Sequence, residues 1–463
     1  MKIKLRITES QHACLKAHLY SGEPEKAQAI VICGQRISET AHCFMLNEIH
    51  LAPHENSGKN FAHSIPDYSL LLDKAAQRNQ AILHIFNVNA FSIDTLNSDN
   101  LKKADFAKYY IHPANYANLT SLVAIMLPDG HIQAYELSEN GEITRLSLIS
   151  IVGDNLQFWG HLEISDKVPN FTESHAQAFG LGTTKAIKQL AIAVVGCSGT
   201  GSPVVEQLAR LGVGELVLVD PDHVEERNLN RILNSKYEDA LLKRPKVEVL
   251  SEAVKLMGLD TKVITFAENL CTPEVIKTVA ECDVIFGCMD GIEGRHLLNT
   301  LAAFYLLPYF DMGVKLEADG KGGVDEVCGS VHYLQPGKSS FLSRGVFTLE
   351  QVRADSIRRT DPNAYEEMLK SKYIVGAQED SPAVISINML LASMAVNEFL
   401  ARLHPYRHEP NSEYAEYRIS LAGGFLYNAC EGKPCKVLAS HVGRGDVSPL
   451  LGKPSLSEIM VSK

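Results

Sequence analysis

A glycine-rich turn follows an apolar stretch near the middle of the chain. Gly196, Gly199 and Gly201, with Ser198 among them, come directly after the apolar residues 190–195. Glycine lets the backbone turn sharply and approach phosphate oxygens without a Cβ in the way. Free N–H groups at the start of a following helix would then face those phosphates. The pattern therefore predicts that Gly196, Ser198, Gly199 and Gly201 bind the phosphates of a nucleotide.

A second apolar stretch, residues 217–219, ends in two carboxylates, Asp220 and Asp222. A carboxylate at the end of the second strand of a βαβ unit accepts hydrogen bonds from ribose hydroxyls. Asp220 is therefore the predicted ribose ligand, and we expect Asp222 beside it. The glycine turn alone fits a nicotinamide or flavin enzyme about as well as an ATP enzyme, and Asp220 narrows that choice.

An amide, two cations and a further carboxylate follow, at Asn228, Arg231, Lys246 and Asp290. Cations around a phosphate cradle stabilise developing negative charge, and a carboxylate binds Mg²⁺ through oxygen. We expect Arg231 and Lys246 to act on that charge, Asn228 to orient a phosphate or the ligands around the metal, and Asp290 to hold Mg²⁺. The structural alternatives are a turn cap for Asn228 and solvated or surface-paired cations.

Together these motifs resemble the adenylation domain of the ThiF-HesA-MoeB superfamily, which includes the ubiquitin-activating enzymes. The shared motifs span about residues 175–430 and read Gly-x-Ser-Gly-x-Gly-Ser, Asp-x-Asp, Asn-Leu-x-Arg, Pro-Lys-Val and Cys-Met-Asp. The resemblance implies ATP-dependent, Mg²⁺-dependent adenylation of the C-terminus of a ubiquitin-like protein, with catalytic roles for Arg231, Lys246 and Asp290. It implies transfer to a ubiquitin-conjugating-type carrier protein and a homodimer. Two alternatives stay open: an adenylyltransferase for sulfur-carrier or cofactor biosynthesis, and a non-catalytic scaffold that binds a ubiquitin-like protein.

A thioester step would need a reactive cysteine. The crossover segment 337–381, where related enzymes often carry that cysteine, contains none, and serines stand where relatives carry zinc-binding cysteines. The candidates are Cys430 and Cys435, in a tail with glycine and proline, and the flanking Lys433 and Lys436 favour a thiolate at Cys435. The alternative is that both are ordinary tail residues, or half of a metal site with His441. We expect no zinc site, and we expect Cys328 to be packed.

Family members often receive an arginine across a dimer interface, from the segment before the first strand of this domain. The corresponding residues 173–180 contain no arginine. The resemblance therefore implies that His175 or Gln177 substitutes, or that the contact is lost.

The N-terminal half resembles the JAMM/MPN metalloprotease fold around residues 81–95. Active members carry two histidines, a serine and an aspartate, because catalytic zinc needs three protein ligands and an open position. Here His84 is followed by Phe86 where the second histidine should stand, and Asp94 follows Ser92 too soon. We predict no peptidase activity and a structural role for His84, with the domain binding a ubiquitin-like protein or driving dimerisation. The fusion resembles the activating component of bacterial ubiquitin-like conjugation operons, some of which act in antiphage defence.

The elements that must position these residues follow from periodicity. From residue 186 strands alternate with helices, which predicts an α/β fold with a Rossmann-like, mostly parallel sheet. The expected order is an α+β JAMM/MPN-like domain (1–150), a linker with a leading helix (151–185), the adenylation domain (186–430) and a tail (431–463). A net charge of −11 argues against nucleic-acid binding. The absence of a long apolar run or leader pattern predicts a cytoplasmic protein without membrane segments.

Overall fold

The computed structural model describes residues 1–21, 27–51, 68–87, 119–137, 142–160, 169–318, 321, 323–370 and 384–457. Ser92 and Asp94 lie outside these residues. Two mixed sheets, of nine and eight strands, organise the described chain. No helix within these residues is long and apolar enough to cross a membrane.

The first sheet is built from the N-terminal third of the chain. Its strands lie in the order β7-β6-β5-β4-β2-β3-β1-β8-β9. The strands are β1 (Lys2–Thr8), β2 (Gln28–Ile37), β3 (Ala41–Leu51), β4 (Ala81–Asn87), β5 (Ser121–Met126), β6 (Ile132–Leu137), β7 (Ile143–Arg145), β8 (Leu148–Val152) and β9 (Leu156–Gly160), and the helices are α1 (Glu9–Leu19) and α2 (Tyr68–Gln77). The α1 helix begins at Glu9 because Thr8 and Gln11 form a reciprocal capping box.

This sheet continues past the predicted boundary at residue 150. Strand β9 pairs antiparallel with β8, with Val152 opposite Leu156. The apolar residues that alternate along β9, Leu156 and Phe158, are both buried. Gly153, within the expected linker 151–185, lies in the short turn between β8 and β9.

The second sheet has the order β12-β11-β10-β13-β14-β15-β16-β17. The first five strands in this order, β12-β11-β10-β13-β14, run parallel and have the expected Rossmann-like arrangement. The last three strands, β15, β16 and β17, are added by antiparallel pairing, so the sheet is mixed. The strands are β10 (Ala191–Val195), β11 (Glu215–Val219), β12 (Lys262–Phe266), β13 (Val284–Gly287), β14 (Tyr309–Ala318), β15 (Val324–Leu334), β16 (Glu416–Ser420) and β17 (Phe425–Ala429). The helices are α3 (Glu173–Gln189), α4 (Gly201–Arg210), α5 (Tyr237–Leu241), α6 (Lys246–Met257), α7 (Pro273–Glu281), α8 (Ile292–Tyr305), α9 (Leu349–Thr360), α10 (Pro362–Lys370) and α11 (Ile385–Leu403).

Helices cover both faces of this sheet. One core contains α4, α6 and α11 residues against β10, β11 and β14, and the other contains α7 and α8 residues. Strand β10 is buried along its whole length, as is usual for a central strand of a parallel sheet. The α11 helix buries Leu391, Ala395 and Phe399 in the first core, so its apolar face packs on the sheet of its own chain.

Buried charges join the two sheets. The Lys4 ammonium on β1 lies 2.6 Å from an Asp283 oxygen, and both side chains are buried. The Arg6 guanidinium donates to the carbonyl oxygens of Ala280, Cys282 and Tyr305, at the ends of α7 and α8. These contacts fix the orientation of the N-terminal sheet against the second sheet, because each buried charge has its partner on the other side.

The C-terminal tail lies along this junction. Gly445 pairs with Gln35 of β2, and the Asp446 backbone N–H donates to the Gln35 carbonyl oxygen. The Asp446 carboxylate accepts from the Tyr305 hydroxyl and from Arg36. The tail is therefore part of the folded junction between the sheets.

Candidate nucleotide-binding site

A cavity of about 610 Å³ opens at the carboxyl ends of β10, β11 and β13. Ligands of open parallel sheets bind at this edge. The wall of the cavity contains most of the residues that the sequence singled out, namely Gly196, Ser198, Asp220, Asp222, Asn228, Arg231, Lys246 and Asp290.

The glycine turn lies between β10 and α4 and is tightly packed. Gly196 has a φ of +93°, and a Cβ there would lie 2.5 Å from the Cys288 carbonyl oxygen. A Cβ on Gly201 would lie 1.8 Å from the Gly196 carbonyl oxygen. Gly199 and Gly201 are not on the cavity wall, which differs from the expectation that both contact phosphate. Glycine is required at these two positions for steric reasons: a Cβ on Gly201 would clash with the Gly196 backbone, and a Cβ on Gly199 would clash with the Asn388 side chain of α11.

Asp220 is buried at the end of β11 and is held by backbone groups. Its two oxygens accept hydrogen bonds from the Cys197 N–H at 2.6 Å and the Asp222 N–H at 2.9 Å. Burial raises the pKa of Asp220, while Lys246 and these N–H groups oppose that shift. Each carboxylate oxygen accepts more than one hydrogen bond, so both can also bind hydroxyl groups in the cavity.

Lys246 is the first residue of α6 and its side chain is buried. Its ammonium lies 2.8 Å from Asp222 and 3.9 Å from Asp220. The preceding Pro245 starts the helix, and the Lys246 N–H donates to the Asp222 carbonyl oxygen. An ammonium has three donors and gives one to Asp222, so donors remain for a ligand in the cavity. The solvated position that we considered for Lys246 is therefore not the one observed.

Asn228 and Arg231 are held by the turn that follows β11. The Asn228 amide oxygen accepts from the Glu225 N–H, as in the cap that we considered as its structural role. The Arg231 guanidinium donates to the Arg227 carbonyl oxygen and to Asn230. No carboxylate of the described residues forms an ion pair with Arg231, so its charge is available to an anion.

Asp290 follows β13, and its carboxylate is open to the cavity. The walls of the cleft displace water from around it, which raises its pKa, while Arg295 and Arg231 act in the opposite direction. Among the described residues, no cluster of three or more histidine, cysteine, aspartate or glutamate side chains could hold a metal. A single carboxylate beside a phosphate cradle nevertheless fits Mg²⁺, which binds one or two carboxylates together with substrate phosphates and water.

Several residues on or beside the cavity were missed by sequence reasoning. Asn388 reaches the glycine turn from α11, and Asp355, Arg358 and Arg359 line the wall from α9. Arg295 of α8 binds both oxygens of the buried Asp311, which fixes α8 against β14 below Asp290. The adjacent cations Arg358 and Arg359 in the crossover segment are the sequence feature that could have indicated this wall of the cavity.

The candidate cysteines differ from the expectation. Cys435 is buried against Ala303 and Leu438, because the tail folds onto α8, so the thiol predicted to be reactive is enclosed. Cys430 is exposed and follows β17. Strand β17 is four strands from β13, about 19 Å at the usual strand spacing. Cys328, which we expected to be packed, is only half-buried, and burial and Glu326 raise its pKa.

The segment expected to replace the missing arginine does not reach the cavity of its own chain. Neither His175 nor Gln177 is on the cavity wall. Both lie in α3, which kinks at Gly180 (φ +81°).

His84 of the N-terminal sheet is buried in β4. Burial lowers its pKa to about 3, and its Nε2 lies 3.5 Å from the Tyr68 hydroxyl. Phe86 is buried on the same strand.

Comparisons with known proteins cover mainly the second sheet. The profile of the ThiF family matches residues 172–426. Ubiquitin-like modifier-activating enzyme 5 of Aedes aegypti is 30% identical over 191 residues, covering 38% of this chain and 45% of that protein. The same enzyme of Culex quinquefasciatus is 30% identical over 166 residues, covering 33% and 39%. The chain therefore matches less than half of the length of these relatives.

Among solved structures, E. coli MccB with ATP covers 58% of this chain and 74% of its own, at 18% identity and a TM-score of 0.45. The family match spans more than half of the chain and contains the whole glycine turn together with Asp220, Arg231, Lys246 and Asp290 of the cavity wall. The chain belongs to the ThiF family.

Proposed function

We propose that this chain activates the C-terminal carboxylate of a ubiquitin-like protein by adenylation with ATP. A carboxylate oxygen attacks the α-phosphorus, the bond from that phosphorus to the β-phosphate oxygen breaks, and pyrophosphate leaves. The product is an acyl-adenylate. The observation that carries the proposal is the convergence of Asp220, Arg231, Lys246 and Asp290 on one cavity at the carboxyl edge of the sheet.

Each side chain has one task in this reaction. Asp220, held by two backbone N–H groups, accepts hydrogen bonds from the ribose hydroxyls. Lys246 directs its remaining donors to the phosphates, and Arg231 adds a cation that forms no ion pair with a carboxylate in the described part of the chain. Charge that grows on the phosphate oxygens in the transition state is stabilised most by cations already in place. Asp222 keeps Lys246 in position between its helix and the nucleotide.

Asp290 would hold Mg²⁺ together with phosphate oxygens, as the open carboxylate permits. When bound, the ion neutralises charge on the leaving pyrophosphate. Asn228, whose amide oxygen is engaged by Glu225, presents its amide nitrogen as the group for a phosphate oxygen.

A thioester step is part of the proposal, with Cys430 as its acceptor in place of Cys435. Cys430 is exposed, whereas Cys435 is enclosed by α8 and the tail. A thiol must be accessible to receive an acyl group and to pass it to a carrier protein. Cys430 follows β17, which is four strands from β13. The acyl group must therefore cross this distance from the adenylate to Cys430 of the same chain, or reach Cys430 of a second copy in a homodimer.

For the N-terminal sheet we propose a JAMM/MPN-like domain without peptidase activity. The burial of His84 and its low pKa support a packing role for that residue. Buried charged contacts hold the N-terminal sheet against the second sheet. This supports a role of the N-terminal domain in binding the ubiquitin-like protein, or a second copy of the chain, next to the adenylation site. We also propose that the chain is the activating component of a bacterial ubiquitin-like conjugation operon. This rests on the resemblance of its two-domain fusion to such components.

The experiment is pyrophosphate exchange into ATP with a candidate ubiquitin-like protein that ends in Gly-Gly. We expect exchange only in the presence of that protein, and its loss in Asp290→Ala. Asp325→Ala, at an exposed site on β15, is the matched control and keeps exchange. Exchange that survives in Asp290→Ala would remove the metal assignment.

The alternatives separate in the same preparation. Adenylate formation without a reductant-sensitive adduct on Cys430 would favour the sulfur-carrier or cofactor type of adenylyltransferase. Nucleotide that binds but is never turned over with any candidate partner would favour a scaffold.

A further inference from the structure

The α9 helix forms one wall of the cavity, although it comes from the crossover segment after β15. Thr348 and Gln351 form a reciprocal capping box at its start, which fixes where the helix begins. Asp355 and Arg358, on successive turns of the helix, both line the cavity.

Two contacts hold α9 against the first turn of α8. The Asp355 carboxylate accepts from the Glu293 N–H at 2.9 Å. Arg359 donates to both oxygens of Glu293, at 2.7 and 3.1 Å. A Cβ on Gly291 would lie 3.5 Å from the Asp355 carboxylate, and Gly291 is the residue after Asp290. The α9 helix is therefore fixed beside the carboxylate proposed to hold Mg²⁺.

The two neighbouring arginines of α9 have different surroundings. Arg359 is committed to a two-point pair with Glu293. Arg358 contacts Asp355 at 3.0 Å, and 42% of the Arg358 side chain is exposed. The Arg359 side chain is exposed to a similar extent, 40%, so the two arginines differ in their contacts: Arg359 binds both oxygens of Glu293, whereas Arg358 has the single 3.0 Å contact with Asp355. A partly exposed ion pair held by one contact is weak, so a more highly charged anion can displace the carboxylate. A guanidinium binds phosphate through two parallel hydrogen bonds, which suits Arg358 to that role.

The direction of the cavity determines which phosphates Arg358 would meet. A nucleotide whose ribose lies at Asp220 extends its phosphates past the glycine turn toward Asp290 and the first turn of α8. Arg358 lies on that side, one helical turn beyond Asp355. We propose that Arg358 binds the terminal phosphates of ATP from within the same chain. It thereby supplies the cation that the arginine-free segment 173–180 does not provide.

This inference rests on the proposed function only in requiring that the cavity binds ATP. The test compares the affinities of ATP and AMP for the full chain, because AMP lacks the phosphates that Arg358 would contact. In Arg358→Ala we expect ATP affinity to fall about 10-fold or more, as for loss of a charge-assisted contact, and AMP affinity to stay unchanged. The ATP affinity of Arg358→Lys should lie between those of Arg358→Ala and the wild type, since lysine keeps the charge without the two-point contact.

Arg353→Ala is the matched control, because Arg353 is exposed on the same helix and is not on the cavity wall. It should leave both affinities unchanged. Equal losses for ATP and AMP in Arg358→Ala, or no loss for either, would overturn the inference. If Arg358→Ala weakens the binding of ATP but not of AMP, and the wild-type chain exchanges no pyrophosphate, the proposed function is overturned and the inference stands. A wild-type chain that binds no ATP would overturn both.

Discussion

At the scale of single residues, Lys246 carries the most charge interactions in the cavity. It is a buried cation with two carboxylates within 4 Å, and the start of α6 fixes its backbone. Burying an ammonium is costly unless partners surround it, so the position of Lys246 indicates a role that a solvated lysine would not fill. Asp220 and Asp222 hold it where the phosphates of ATP would pass.

Lys246→Gln removes the charge and retains most of the side-chain volume. We expect pyrophosphate exchange to fall about 100-fold or more, as for loss of one preorganised donor to transition-state charge. The measurement is the exchange rate at saturating ATP, with a thermal melt to establish folding. Lys262→Gln, on the exposed face of β12 beside Glu215, is the control. Exchange at the wild-type rate in Lys246→Gln would contradict the role of Lys246.

At the scale of elements, the buried His84 of β4 makes the stability of the N-terminal sheet depend on pH. His84 is neutral in the folded chain until the pH nears its lowered pKa of about 3, whereas the unfolded chain protonates this side chain near 6.5. Stability that is fully present above 6.5 is therefore lost as the pH falls from 6.5 toward 3, because the unfolded state binds the proton first.

His84→Leu should remove this loss. Between pH 7.5 and 5.5 we expect the unfolding free energy of the variant to gain about 1.4 kcal/mol relative to the wild type, the linkage for one pH unit below the unfolded pKa. Urea unfolding at both pH values is the measurement. His408→Leu, at an exposed site, should follow the wild type. A parallel pH dependence of wild type and His84→Leu would show that His84 is not the buried neutral group described here.

At the scale of the whole molecule, the junction between the sheets depends on β1. Lys4 and Asp283 are both buried, and Asp283 also accepts from the Ala191 N–H at the start of β10. The pair therefore connects the first strand of the N-terminal sheet with a central strand of the second sheet.

Lys4→Met leaves Asp283 buried without its cation and should destabilise the chain by about 3–5 kcal/mol. The double variant Lys4→Met/Asp283→Leu should recover much of that loss, since no charge is left buried. Denaturant unfolding followed by the fluorescence of Trp159 reports the free energy, because Trp159 is the single tryptophan of the chain. Lys2→Met, on the same strand with 41% of its side chain exposed, is the control. Equal stability of Lys4→Met and Lys2→Met would contradict the role of the junction.

The sequence predicted the parts of the site that depend on local order. The glycine turn and Asp220 follow their strands directly, and Asp290 comes three residues after the end of β13. Parallel strands bring their carboxyl ends to one edge, so the convergence of these residues follows from topology. The position of Arg358 could not be predicted in this way, because it depends on the contact of Asp355 with the start of α8. Cys435 is enclosed by Ala303, far away in sequence, and the end of the first sheet at Gly160 depends on pairing with β8.

The central claim is that the cavity activates an acid at the α-phosphorus of ATP. The most direct measurement follows pyrophosphate exchange with the same ubiquitin-like protein carrying either a free or an amidated C-terminus. The account predicts exchange with the free carboxylate, formation of AMP and pyrophosphate, and no exchange with the amide. Exchange that is independent of the C-terminus, or release of ADP and phosphate instead of AMP and pyrophosphate, would contradict it.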